Sequence, residues 1–200
     1  WRKKAAEPAP PTSTTMGDYP ARGALGMLAD YITETAYSPQ PILDLGASVC
    51  AIGALAGRKY ASETDLRTNM YVIGLADSGA GKEHARTIID KIIAEHLDIP
   101  TLLGGAKIAS GAGLISSLVR SPNILFQIDE FGSFLIGIAN KQKAPRHLAE
   151  ILEYLTQLFT SADKVFRGIE YANQKERPRV EIQQPCVTIY GTTVPSNLWR

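Results

Sequence analysis

Lys82 has the most chemically specific surroundings in this sequence. It lies in Tyr71-Val-Ile-Gly-Leu-Ala-Asp-Ser-Gly-Ala-Gly-Lys-Glu83, where five residues of strand character lead into a glycine-bearing turn and then into helical sequence from about Glu83 to His96. Ala76-x-x-x-x-Gly81-Lys82 is the spacing of a loop that wraps phosphate. Backbone N–H groups approach a polyphosphate closely only where no Cβ intervenes, which is the use of Gly79 and Gly81. The helix that follows points its positive end at the anion, and an ammonium at position 82 reaches the β- and γ-phosphates. Ala76, Asp77, Ser78, Gly79, Ala80, Gly81, Lys82, Glu83 and His84 therefore form the candidate nucleotide-binding set. Glu83 departs from the pattern, because Ser or Thr usually offers Mg²⁺ a hydroxyl there. A carboxylate is also a hard oxygen donor, so Glu83 is a candidate metal ligand, and nucleotide binding is expected to depend strongly on Mg²⁺.

Further downstream, Asn123-Ile-Leu-Phe-Gln-Ile-Asp129-Glu130 reads as a strand buried on both faces, with two carboxylates at its C-terminal end. That end of an open α/β sheet is where ligands bind. Asp129 is the candidate metal carboxylate, and Glu130 is placed to orient or deprotonate a water. Pro185-Cys-Val-Thr-Ile-Tyr-Gly-Thr192-Thr193 predicts a second buried strand, ending in two hydroxyls. Thr192 or Thr193 is the candidate contact to a γ-phosphate or to that water. Together these groups suit phosphoryl transfer to water, which rests on positioning and electrostatics. Such sites are often completed by an arginine from a neighbouring subunit. Arg146, Arg167, Arg177 and Arg179 are candidates, Arg167 being favoured because it follows a long helix in a segment expected to be ordered.

The elements that must position these groups are legible in outline. Two hundred residues suit one medium α/β domain with a real core. A formal charge of +1 provides no global basic field for nucleic acid, and no apolar run approaches a membrane span. Cys50 and Cys186, without a C-x-x-C pattern, read as buried reduced thiols. Residues 1–20, rich in proline and poor in large apolar side chains, are expected to be a flexible linker. With Trp1 as first residue, the chain is read as a piece of a longer protein, truncated at its C-terminal end too. Residues 21–68 predict a helical segment, one helix around Ala24–Ile32 and another after Pro41 whose small residues allow close packing.

Within 69–200, Thr101-Leu-Leu or Ala106-Lys-Ile-Ala is a short strand candidate, and Ser110-Gly-Ala-Gly113 opens a helix. Ile136 to His147 reads as a loop, and Leu148, Ile151, Leu152, Leu155, Leu158 and Phe159 form the stripe of an amphipathic helix. Val165-Phe-Arg-Gly-Ile and Val180-Glu-Ile are expected to pair as a hairpin. Ser196 is the expected N-cap of a last helix.

Three stretches resemble a known family: Leu66-Arg-Thr-Asn-Met-Tyr-Val-Ile-Gly-Leu-Ala-Asp-Ser-Gly-Ala-Gly-Lys-Glu-His-Ala-Arg86, Ile128-Asp-Glu-Phe-Gly132 and Tyr190-Gly-Thr-Thr-Val-Pro195. They look like P-loop ATPase domains of phage and mobile-element primase–helicase proteins, which are similar to replicative helicases of the AAA+ and superfamily 3 kind. The resemblance spans roughly residues 24–200. It implies a three-layer P-loop NTPase of the additional-strand class with a mostly parallel sheet, with 69–200 as the ATPase core. By that likeness Lys82 belongs to the Walker A motif, Asp129 and Glu130 to Walker B, and Thr192 or Thr193 to the sensor-1 position. It further implies ATP and Mg²⁺ as cofactors, a homo-oligomeric ring of six subunits around single-stranded DNA, an upstream primase–polymerase domain and a cytoplasmic setting in a bacterial or phage-infected cell. A nucleotide or small-molecule kinase is the alternative of a different class, and a nucleotide-binding scaffold without turnover is a third. Basic clusters at Lys141–Lys143 and at 175–179 are candidate DNA-contacting loops.

Overall fold

The computed structural model describes residues 21–139, 145–170, 172–173, 175–176 and 178–198. The predicted linker, Lys141–Lys143 and Arg177 lie outside them. In chain order come α1 (Gly23–Thr35), α2 (Pro41–Ala56), β1 (Tyr71–Leu75), α3 (Glu83–Lys91), α4 (Gly111–Arg120), β2 (Asn123–Ile128), α5 (Phe131–Ala139), α6 (Arg146–Thr160), β3 (Val165–Phe166), β4 (Ile182–Gln183) and β5 (Cys186–Thr193).

The sheet is parallel and three-stranded, in the order β1-β5-β2. The last strand in sequence thus lies between the two earlier ones, and all eight of its residues are buried. Parallel strands covered on both faces must be apolar on both, which is why β2 and β5 read as nearly unbroken apolar runs. Alternation along them divides the core. Ile124, Phe126, Ile128, Val187 and Ile189 pack with Leu114, Leu118, Ile151, Leu155 and Leu158 from α4 and α6. Leu125 and Tyr190 face the other way, toward Ile32 of α1, Ala47, Cys50 and Ala54 of α2, and Ile89 of α3. Helices therefore cover both faces, and the N-terminal helical segment shares its core with the sheet.

Local chemistry accounts for the helix ends. Pro41 occupies the first turn of α2, where its missing N–H costs nothing. The Ser110 hydroxyl accepts from the Gly113 amide at 3.1 Å and caps α4. The last turn of the helix begun by α3 is wound as a π-helix, Ile92–His96, with the Leu97 amide donating to the Ile92 carbonyl. Both cysteines are buried and unpaired; burial pushes the Cys50 thiol up to about 12 and raises Cys186 as well. Among the described residues no helix is long and apolar enough to cross a membrane.

Four local expectations need correction. The loop expected from Ile136 is helical through Ala139, because α5 starts directly after the carboxylate pair. Its sequence, Phe-Gly-Ser-Phe-Leu-Ile-Gly-Ile-Ala, lacks a polar face, so helical periodicity does not reveal it. The strand candidate near 101–103 shrinks to one parallel bridge, Leu103 to Leu125, after a 3₁₀ turn at Pro100–Leu102, and Ala106–Ala109 forms no strand. The hairpin pairs only Val165 with Gln183 and Phe166 with Ile182. At the C-terminal end a 3₁₀ turn starts at Pro195, whose fixed φ favours a first helical position, so Ser196 lies inside the turn instead of capping it.

Candidate functional site

The loop after β1 is tied to the sheet first. Leu75 pairs with Thr193, and the Ala76 amide donates to the Thr193 carbonyl at 3.2 Å. The chain then turns, with the Ala80 amide on the Asp77 carbonyl and the His84 amide on the Gly81 carbonyl. Gly79 and Gly81 alone in the loop have positive φ, +76° and +85°. Nothing lies within 4 Å of where a Cβ would stand on Gly79, which marks the open side, whereas a Cβ on Gly81 would sit 2.9 Å from the Ser38 carbonyl oxygen. The α1–α2 connection thus backs the loop. Thr35 Oγ1 lies 3.0 Å from His84 Nε2, so His84 engages this backing rather than the loop mouth.

These two glycines give a test. Gly79→Ala is expected to cost about 1–2 kcal/mol from its left-handed backbone alone. Gly81→Ala is expected to cost roughly 1–3 kcal/mol more, since its methyl meets backbone that cannot swing aside. Urea denaturation of both variants measures the difference, and equal costs would contradict the packing of Ser38 against the loop.

Lys82 Nζ donates to the carbonyls of Ala76 at 3.0 Å and Asp77 at 2.9 Å, so the ammonium is folded over the loop that carries it. The strand order brings the acidic pair to the same end of the sheet. Ile128 pairs with Gly191, so Asp129 and Glu130 emerge beside Thr192 and Thr193. The two threonines are both buried but face opposite ways. Thr192 Oγ1 donates to Asp129 Oδ1 at 2.9 Å, while Thr193 Oγ1 has no hydrogen-bond partner among the described residues and lies against Gly132. Of the two hydroxyls left open by sequence, Thr192 is the one joined to the carboxylates.

Asp129 is densely held. Its Oδ1 also accepts from the Glu130 amide at 3.0 Å, and its Oδ2 pairs with Arg86 Nη2 at 2.9 Å. Burial works to raise the Asp129 carboxyl, but the Thr192 hydroxyl, the Arg86 guanidinium and the Glu130 amide outweigh it and hold the group below the ordinary carboxylate range. Glu130 has φ +51°, a left-handed conformation rare for a non-glycine residue, and its Oε2 accepts from Asn197 Nδ2 at 3.3 Å.

Glu83 is exposed and lines a polar cavity of about 210 Å³ with Arg86, Thr87, Asp90 and Gln127. Gln127 Nε2 donates to Asp90 Oδ1 at 2.8 Å and to the Arg86 carbonyl at 3.3 Å, which pins α3 to β2. A second, mostly apolar cavity of about 330 Å³ reaches the carboxylates from the opposite side, with Lys107, Ile128, Phe131 and Phe134 in its wall.

Among the arginine candidates, Arg146 and Arg167 are exposed, and Arg179 pairs with Glu170 and Glu181. None of these contacts joins them to Asp129. The arginine that does reach it is Arg86, which sequence reasoning passed over. Its position one helical turn beyond Lys82 was the available signal.

This constellation fits a phosphate: a loop with an open glycine side, an adjoining ammonium and a helix N-terminus. No group of three or more His, Cys, Asp or Glu side chains among the described residues is arranged to hold a metal alone. Mg²⁺ commonly takes one or two carboxylates and completes its shell with substrate phosphates and water, and exposed Glu83 suits that use. The fold and site define an α/β protein with a small parallel sheet, its candidate chemistry gathered at the strands' C-terminal end. Compared with known proteins, the chain matches no protein-family model, no curated protein and no solved structure.

Proposed function

We propose that this chain binds and hydrolyses ATP as the motor domain of a replicative helicase or primase–helicase acting on DNA. One observation carries the reading. The order β1-β5-β2 sets the loop 76–83, the Thr192 hydroxyl and the Asp129–Glu130 pair side by side at one sheet end. A hydroxyl-tipped strand between the phosphate-loop strand and the acidic strand is the arrangement expected of an additional-strand P-loop NTPase. In this reading Gly79, Gly81 and Lys82 would bind the phosphates, and Asp129 and Glu83 are the residues that would hold Mg²⁺, which when bound would supply Lewis-acid stabilisation of charge on the γ-phosphoryl group. Glu130 takes the proton of the attacking water, and Thr192 keeps Asp129 oriented. Arg167 of a neighbouring subunit would complete the site in a ring of six around single-stranded DNA, because its exposure leaves it free to reach across an interface.

Glu130→Gln is expected to lower ATP hydrolysis by about 10²–10⁴-fold, the usual contribution of a general base, while ATP binding is retained. Phosphate release with and without single-stranded DNA measures it, beside calorimetry for binding. Hydrolysis equal to wild type would remove Glu130 as the base. Absence of turnover in the wild type, with ATP binding intact, would favour a nucleotide-dependent scaffold. One observation points that way: both oxygens of Asp129 are already engaged by protein donors.

A further inference from the structure

Arg86 is the charged neighbour of Asp129 that no motif predicts. Its side chain is only 15% exposed, with Nη2 at 2.9 Å from Asp129 Oδ2. Its Nε is buried without a hydrogen-bond partner among the described residues, so the contact to Asp129 is made through Nη2. The helix carrying it starts at the phosphate loop and is pinned to β2 through Gln127. With Thr192 and the Glu130 amide on Oδ1, Arg86 gives each oxygen of Asp129 a protein donor, although the Asp129 side chain stays 51% exposed. A divalent cation approaching Oδ2 meets a fixed positive charge already in contact with it. Solvent at the half-exposed carboxylate screens part of this repulsion, and the part that remains comes from a guanidinium largely withdrawn from water.

We propose that Arg86 is a positioning residue that keeps Asp129 from metal until a phosphate draws the guanidinium away. Arg86 stands one helical turn beyond Lys82, on the helix whose N-terminus faces the loop. A polyphosphate in the loop is therefore a competing anion for the same guanidinium. Nucleotide arrival exchanges Arg86 from Asp129 to phosphate and opens Oδ2 to the metal, which orders the two binding events. The inference rests on the proposed role of Asp129 as a metal carboxylate, and it concerns this chain's own ion pair.

The test is a titration with Mn²⁺, followed by the electron paramagnetic resonance of the free ion, on the whole chain with and without ADP. Without nucleotide, Arg86→Gln is expected to bind Mn²⁺ about tenfold more tightly than wild type, the effect of removing one contacting charge from a partly screened site. Adding Asp129→Asn to Arg86→Gln should cancel the gain, and Arg86→Lys should keep wild-type affinity. With ADP the difference between wild type and Arg86→Gln should shrink. Circular dichroism checks folding, and Arg86→Met, which keeps the stem and drops the charge, replaces Arg86→Gln if that variant unfolds. Equal Mn²⁺ affinity in wild type and the charge-free variant without nucleotide overturns the proposal, as does a gain that survives Asp129→Asn. Failure of ADP to bind would count against the nucleotide reading alone, since the nucleotide-free arm decides the role of Arg86.

Discussion

Lys82→Ala is expected to weaken ATP binding by about 100-fold or more, since hydrogen bonds to charged groups contribute roughly 1.5–3 kcal/mol each and this ammonium would serve two phosphates. Thermal stability should hardly change. Among the described residues Lys82 Nζ bonds only to the carbonyls of Ala76 and Asp77, at the rim of the loop, and water can replace it there. That pairing of a large binding loss with an unchanged melting temperature separates a ligand-directed lysine from a structural one. Calorimetry with Mg²⁺ and ATP, beside a melting curve, reads both. Unchanged ATP affinity would end the phosphate-loop reading, and the proposed motor with it.

Ile189→Ala should produce the largest loss of stability, about 2–5 kcal/mol. Ile189 is 1% exposed at the centre of β5, paired to Tyr71 of β1 on one side and Phe126 of β2 on the other. The side chain enters the core between the sheet and α4–α6. Because β5 is fixed on both edges, the strand cannot shift to fill the cavity, and the cost should lie toward the upper end. A domain of ordinary stability holds only about 5–15 kcal/mol in total, so the variant is expected to melt far below wild type. Urea titration with an unchanged slope and a loss under about 1 kcal/mol would mean that β5 is not the central strand.

Both expectations draw on features of unequal legibility. The glycine turn after β1 could be read because its demands are local: positive φ at Gly79 and Gly81 favours residues without a Cβ, and glycines stand at both positions in the sequence. Strands β2 and β5 were legible because burial on both faces leaves few polar residues, and β1, a half-buried edge strand, because Tyr71-Val-Ile-Gly-Leu75 carries no charged side chain. α5 was not, because an apolar helix with two glycines carries no amphipathic signal and is held by contacts to β5 and α6. The reduced strand at 103 failed for a related reason: Thr101-Leu-Leu has strand-like composition, but Pro100 starts a 3₁₀ turn and only Leu103 reaches β2.

The amino-acid sequence alone determined which residues are candidates for chemistry and the local backbone that presents them, because spacing, glycine placement and apolar runs act over a few residues. It also placed the acidic pair and the threonines at strand ends. Only the tertiary structure decided that β5 inserts between β1 and β2, that Thr192 rather than Thr193 meets Asp129, and that Arg86 occupies the remaining carboxylate oxygen. These are pairings between segments far apart in the chain, and no local propensity encodes which partner a buried strand end or a helical arginine will face.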